Sequence, residues 1–245
     1  MRLTFMPNTM APIPRRHALR IRVFALAAAF LFAAPVFLAA QFTPPAATQV
    51  RDASPLKPPP GVRVAILEFD DLECPACAHA NPLLKQAAAQ YKIPWLRHDF
   101  LIQNHAWSAQ AAVNARWFDA KSKSLGDEYR DEVFANQMQI ETRGDLDRFT
   151  KKFADAHKIE LPIMAMDPDG SLMNLVQADI AMGNQVGVSK TPTIFIVANT
   201  ASGPRYFESR DPDHDLYQTI DQAMAVAVPV KTTPAKTASV KTAHK

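Results

Sequence analysis

Cysteine is nearly absent from this chain. Two occur in 245 residues, Cys74 and Cys77, both in one Cys-Pro-Ala-Cys run. That scarcity excludes a disulfide-stapled scaffold. It also excludes a zinc site built from thiolates alone, which needs four. Glycine is scarce too, at 7 residues, and the chain is 48% hydrophobic and 21% charged, a globular composition with helical bias. Acidic residues are missing after residue 227, and Asp52 is the single one before residue 61, where seven basic residues stand. The ends are therefore basic, and the middle holds 16 basic and 23 acidic residues, so the overall charge of +3 conceals an acidic domain. A nucleic-acid-binding domain would carry its basic charge on the fold, and the composition argues against one.

The basic N-terminus has a pattern. Arg15, Arg16, Arg20 and Arg22 precede the uncharged run Val23 to Ala40, the arrangement of a secretory signal. Cleavage after Ala40 fits, and the 18-residue run is also just long enough to act as an uncleaved anchor. Residues 1–40 are expected to be a signal peptide or an N-terminal membrane anchor, placing the domain in the periplasm or another extracytoplasmic space. Residues 41–60 contain six prolines and are expected to form an extended linker. That stretch is too short and too proline-rich for a dimerisation module, so a monomer is expected. Residues 228–245, mixing Pro, Thr, Ala, Val and Lys, are expected to be a disordered basic tail.

The domain proper falls in 61–227. Val62 to Phe69 reads as a strand buried on both faces. Ala76 to Tyr91 has helical spacing, with Pro82 as an expected kink. Ile93 to Leu101 reads as a second strand. Residues 108–182 are helical, with breaks expected near Gly126, Gly144, Pro162 and Asp167 to Gly170. Two strands follow, Thr193 to Val197 and Arg205 to Glu208, and then a helix over 216–227.

The Cys-Pro-Ala-Cys run thus stands at a strand-to-helix junction. Closing a loop this short removes little chain entropy, and outside the cytoplasm thiols are pushed toward oxidation. An exported dithiol of this kind is suited to making, breaking or carrying one disulfide. The reacting species is the thiolate, and a helix N-terminus favours it. Cys74, at the start of the helix, is expected to be the attacking sulfur and Cys77, one turn in, the resolving thiol. Pro75 suits the first helical turn, where its missing N–H is not needed. Two readings compete: half of a metal site, with His79 and His105 as the nearest completing ligands, and a chaperone-like binding module whose dithiol is incidental. Trp107 and Phe118 read as core of the helical block, and Met164, Met166, Met173 and Met182 as core filler.

The order strand, CxxC helix, strand, helical block, strand, strand, helix resembles that of the DsbA-like thiol–disulfide oxidoreductases of the thioredoxin superfamily. Leu67-Glu68-Phe69 before Cys74-Pro75-Ala76-Cys77, and Gly187-Val188-Ser189-Lys190-Thr191-Pro192-Thr193 before a later strand, carry the resemblance. It implies an α/β thioredoxin fold with a helical insertion between the second and third core strands. It implies that Glu68 is a buried acid beneath the CxxC, and that Pro192 is cis and faces the dithiol. The backbone of Thr191 is then free to pair with an extended substrate. No cofactor is implied beyond the redox-active disulfide Cys74–Cys77. The expected partners are folding exported proteins and a membrane redox partner that resets the dithiol. Ala76 stands where the most oxidising DsbA proteins have histidine, and Glu73 adds a negative charge beside Cys74. Both features point to a couple between the extremes of about −120 and −270 mV, with oxidase expected and reductase as the alternative.

Overall fold

The most apolar run of the middle chain becomes β1 (Val64–Asp70) in the computed structural model, which describes residues 45–229. All seven of its residues are buried, including Glu68 and Asp70. Next come α1 (Pro75–Tyr91) and β2 (Trp95–Asp99), and then a helical insertion of α2 (Ser108–Asp119), α3 (Lys123–Ala135), a 3-10 turn, α4 (Arg143–Ala156) and α5 (Ser171–Val186). The chain closes with β3 (Thr193–Thr200), β4 (Gly203–Ser209) and α6 (Pro212–Val226). The sheet order is β2-β1-β3-β4, with β1 and β2 parallel and the other pairings antiparallel. This is the α/β thioredoxin fold with a helical insertion between its second and third core strands. Among the described residues no helix is long and apolar enough to cross a membrane. The expected signal or anchor at 1–40 and nearly all of the expected tail lie outside those residues.

Strand alternation divides β1 between two cores. Val64 and Ile66 pack against Leu84 and Ala87 of α1 and Leu216 and Ile220 of α6. Ala65, Leu67 and Phe69 pack on the other face with Phe100, Val186 and Phe195. A third cluster fills the insertion with Phe118, Tyr129 and Phe153, and reaches Leu72, Cys74, Cys77 and Trp107. The dithiol therefore sits at the seam between sheet and insertion.

Several boundaries differ from the sequence expectation. Gly126 does not break a helix but lies in the first turn of α3, where an added Cβ would collide with Asp119. The break comes earlier, at Ser122, whose side chain accepts from the Leu125 N–H and caps α3. Gly144 likewise sits just inside α4, behind a capping box formed by Thr142 and Asp145. Pro82 lies within α1 without ending it. Met164 is not core filler: it is 93% exposed in the loop before α5.

Of the stretch expected to be a linker, residues 45–60 hold no helix or strand, yet they lie along the domain. The Arg51 N–H donates to Val186 O (2.8 Å), Thr48 donates to the Glu208 carboxylate, and Lys190 Nζ reaches Ala46 O (3.1 Å). Leu56 is buried in the core beside Ala65 and Leu67.

Candidate active site

Cys74 is the N-cap of α1, with extended backbone angles and Pro75 following in the first turn. The N–H groups and dipole of a helix N-terminus favour an anion at that position. The Cys74 thiol is drawn down to about 6, first by a hydrogen bond from the Cys77 thiol, then by Thr191 and the backbone N–H groups of Cys77 and Ala76, against partial burial. Cys77 lies one turn into the helix and is fully buried. Burial holds its thiol well above the ordinary range, helped by its bond to Cys74 and by the charges of Glu68 and Asp70. One sulfur is thus poised as thiolate and the other kept protonated, a division that follows from one helical turn of depth.

Glu73, next to Cys74, is turned toward the insertion. Its carboxylate caps α2, accepting from the N–H groups of Ala106 (2.9 Å), Trp107 (2.7 Å) and Ser108 (2.9 Å). Asp71 completes the tie: its side chain accepts from the Glu73 and Ile102 N–H groups and the Ser108 hydroxyl, and it pairs with His105 at 2.9 Å. The turn carrying Cys74 is thereby fixed to the loop entering the insertion.

Across from Cys74, the Thr191–Pro192 bond is cis. The Thr191 carbonyl lies 3.5 Å from Cys74 Sγ. A cleft of about 350 Å³ beside it is lined by Ala76, His79, Thr191, Pro192, Ile194 and Pro212. Beneath the dithiol, Glu68 is fully buried, and its Oε2 accepts from Trp95 Nε1 at 2.9 Å. Burial above all, then the neighbouring charge of Asp70, raises its carboxyl well above the usual range, against Arg97 and the Trp95 bond. Among the described residues, two buried side-chain oxygens lack a hydrogen-bond partner, Glu68 Oε1 and Thr191 Oγ1. Both flank the dithiol. Unpaired buried polar atoms are costly.

The five residues singled out in the sequence, Cys74, Cys77, Glu68, Thr191 and Pro192, therefore converge. His79 and His105, the completing ligands of the metal reading, are paired instead with Asp213 and Asp71 respectively. Trp107 is buried in the core beside both cysteines. Among the described residues no group of three or more His, Cys, Asp and Glu side chains could hold a metal ion. The sequence reading missed Asp70 and Arg97. Asp70 is buried at the end of β1, its carboxyl raised to about 6, mainly by burial. Arg97 is buried on β2 beside it. A signal existed: Asp70 is two residues from Glu68, on the same strand face, in a run otherwise apolar.

Fold and site together define a thioredoxin-superfamily protein closely resembling the DsbA-like thiol–disulfide oxidoreductases, and the cysteine pair on that scaffold supports a thiol–disulfide oxidoreductase activity. The chain belongs to the thioredoxin family, whose model matches residues 60–211. Similar solved structures include alpha-DsbA1 from Wolbachia pipientis (TM-score 0.56, 15% identity, covering 69% of this chain and 89% of that one). DsbA2 from Pseudomonas aeruginosa is another (0.51, 18%, 67% and 88%). A third is a periplasmic thioredoxin-like protein from Salmonella enterica serovar Typhimurium (0.52, 16%, 67% and 86%). A comparison with curated proteins finds no match.

Proposed function

We propose that this protein is an exported oxidase of folding proteins, passing the Cys74–Cys77 disulfide to client thiols. A client thiolate attacks Cys74 Sγ, and Cys77 leaves and takes up a proton, which Glu68 is placed to supply. A second client thiolate then attacks the client sulfur of the mixed disulfide, and Cys74 leaves as thiolate. The client gains a disulfide, and the protein is left as a dithiol for a membrane redox partner to reoxidise. The observation that carries this reading is the lowered thiol of Cys74 at the helix N-cap. A sulfur stabilised as thiolate is a good leaving group, and it stabilises the reduced state.

The cleft at Thr191–Pro192 supports binding of an extended client segment, with the Thr191 backbone as its partner. The extracytoplasmic site of action rests on the basic and apolar N-terminal pattern and on the periplasmic protein among the similar structures. Reductase is the second reading, favoured by Ala76, which stands where the most oxidising relatives have histidine. Equilibration with glutathione buffers separates the two. A potential nearer about −120 mV assigns oxidase, and one near about −270 mV assigns reductase. Cys74→Ser tests the class itself: an exchange enzyme loses all activity, whereas a binding module keeps its partners.

A further inference from the structure

The cleft beside the dithiol has a wall that does not come from the thioredoxin core. Pro45 lines it together with Ala76, Thr191, Pro192, Ile194 and Pro212. Pro45 belongs to the extended stretch ahead of β1, a strap tied to the domain at separate places. At the end of α5, the Arg51 N–H donates to Val186 O (2.8 Å), the Arg51 guanidinium donates to Asn184 O, and Gln185 Nε2 donates to Asp52 Oδ2 (2.6 Å). The last carbonyls of a helix have no partner within it, and here the strap supplies two. Gly187 permits the approach, because a Cβ on it would stand 2.5 Å from Gln49 O. On the edge strand β4, the Glu208 carboxylate accepts from the Thr48 N–H (2.9 and 3.0 Å) and from the Thr48 hydroxyl (2.7 Å). At the loop facing the dithiol, Lys190 Nζ donates to Ala46 O (3.1 Å).

The placing of these ties is informative. Lys190 immediately precedes Thr191, and Glu208 immediately precedes Ser209, another residue of the cleft. The strap therefore spans from the cis-proline loop to the start of the β4–α6 turn. His79 of α1 pairs with Asp213 of α6 at 2.9 Å, joining two further elements that line the cleft. Proline suits the exposed end of such a wall. It has no N–H to leave unsatisfied when a client covers it, and its fixed φ reduces the entropy lost on ordering. The strap does not fill the cleft, which keeps a volume of about 350 Å³, so it is a wall and not a plug.

We propose that residues 45–48 are a specificity-determining part of the client site. Pro45 offers an apolar surface to the client residue beside the reacting cysteine, and the preferred client carries an apolar side chain there. Thr48 and Glu208 are positioning residues that clasp this wall in place. This rests on the oxidoreductase reading above and deepens it.

The test uses the full chain with the Cys74–Cys77 disulfide formed, and two peptides of one cysteine each, with Leu or Asp beside it. Two peptide thiols become a peptide disulfide as the protein disulfide becomes a dithiol. The rate is followed against peptide concentration, and again with dithiothreitol, which has no neighbouring side chain. Glu208→Ala is expected to raise the half-saturating concentration of the Leu peptide about fivefold or more, the scale of burying one or two methylene groups. The Asp peptide changes less. The saturated rate and the dithiothreitol rate stay unchanged, as they do when only ground-state binding is lost. Thr48→Val shifts the Leu peptide the same way by less, and adds little on top of Glu208→Ala. Pro45→Gly reproduces the Leu-peptide shift with the clasp intact. If Glu208→Ala does not fold, Thr48→Val and Pro45→Gly decide the question. A merely structural role would slow both peptides and dithiothreitol alike. An unmoved Leu peptide, equal shifts for the two peptides, or a fall in half-saturation, the mark of a lid, overturns the inference and leaves the oxidoreductase reading intact. A wild-type disulfide that dithiothreitol reduces and neither peptide does overturns the client reading as well.

Discussion

Cys74 and Cys77 are chemically identical residues three positions apart, yet the structure drives their thiols in opposite directions. Titration of the reduced protein by thiolate absorbance is expected to give a midpoint of about 6 for Cys74, and Cys74 alone should be alkylated at neutral pH. Equal labelling of Cys77 would contradict the assignment. A lowered thiol also affects stability. Because the folded value lies below the ordinary 9.0, the contribution is fully present above about pH 9 and is lost as the pH falls through about 6. Urea denaturation of the reduced protein should therefore show its stability advantage over Cys74→Ser growing as pH rises from 6 to 9. A flat difference would refute the shift. The two cysteines were legible in the sequence because the chain has no others, and Pro192 because of the resemblance carried by the Thr191-Pro192-Thr193 run before a strand. The capping role of Glu73 was not legible, because adjacency along the chain says nothing about where a side chain turns. Its three backbone donors come from residues 106–108, more than thirty positions away.

At the scale of elements, apolar runs and helical spacing located every strand and most helices of the domain, since burial on a strand or helix face imposes its period on the residues. The helix breaks were less legible. Glycine was read as a breaker, whereas α3 and α4 are started by the side chains of Ser122 and Thr142. Thr142→Ala should cost about 1 kcal/mol in chemical denaturation, with little effect on exchange rate. The stretch at 45–60 was read only as extended. Its docking depends on Gly187, at φ +105, where an added Cβ would stand 2.5 Å from Gln49 O, and on Leu56. Leu56→Ala is expected to cost about 2–5 kcal/mol, the range for a buried leucine. A cost near zero would show that the segment is not part of the folded unit.

For the whole molecule, the sheet and the helical insertion meet at the dithiol, so the reactive pair is built from both. The sequence by itself determined the dithiol and the element order, because rare residues and local patterning carry that information along the chain, and the resemblance its motifs carry implied the fold class and the loop that faces the dithiol. Only the tertiary structure added Asp70 and Arg97 to Glu68 beneath the dithiol and showed what holds them. Glu68, Asp70 and Arg97 become a buried charge cluster through the pairing of β1 with β2, and their protonation is set by burial and by one another's charges. Such quantities depend on distances across strands, and no one-dimensional pattern specifies them.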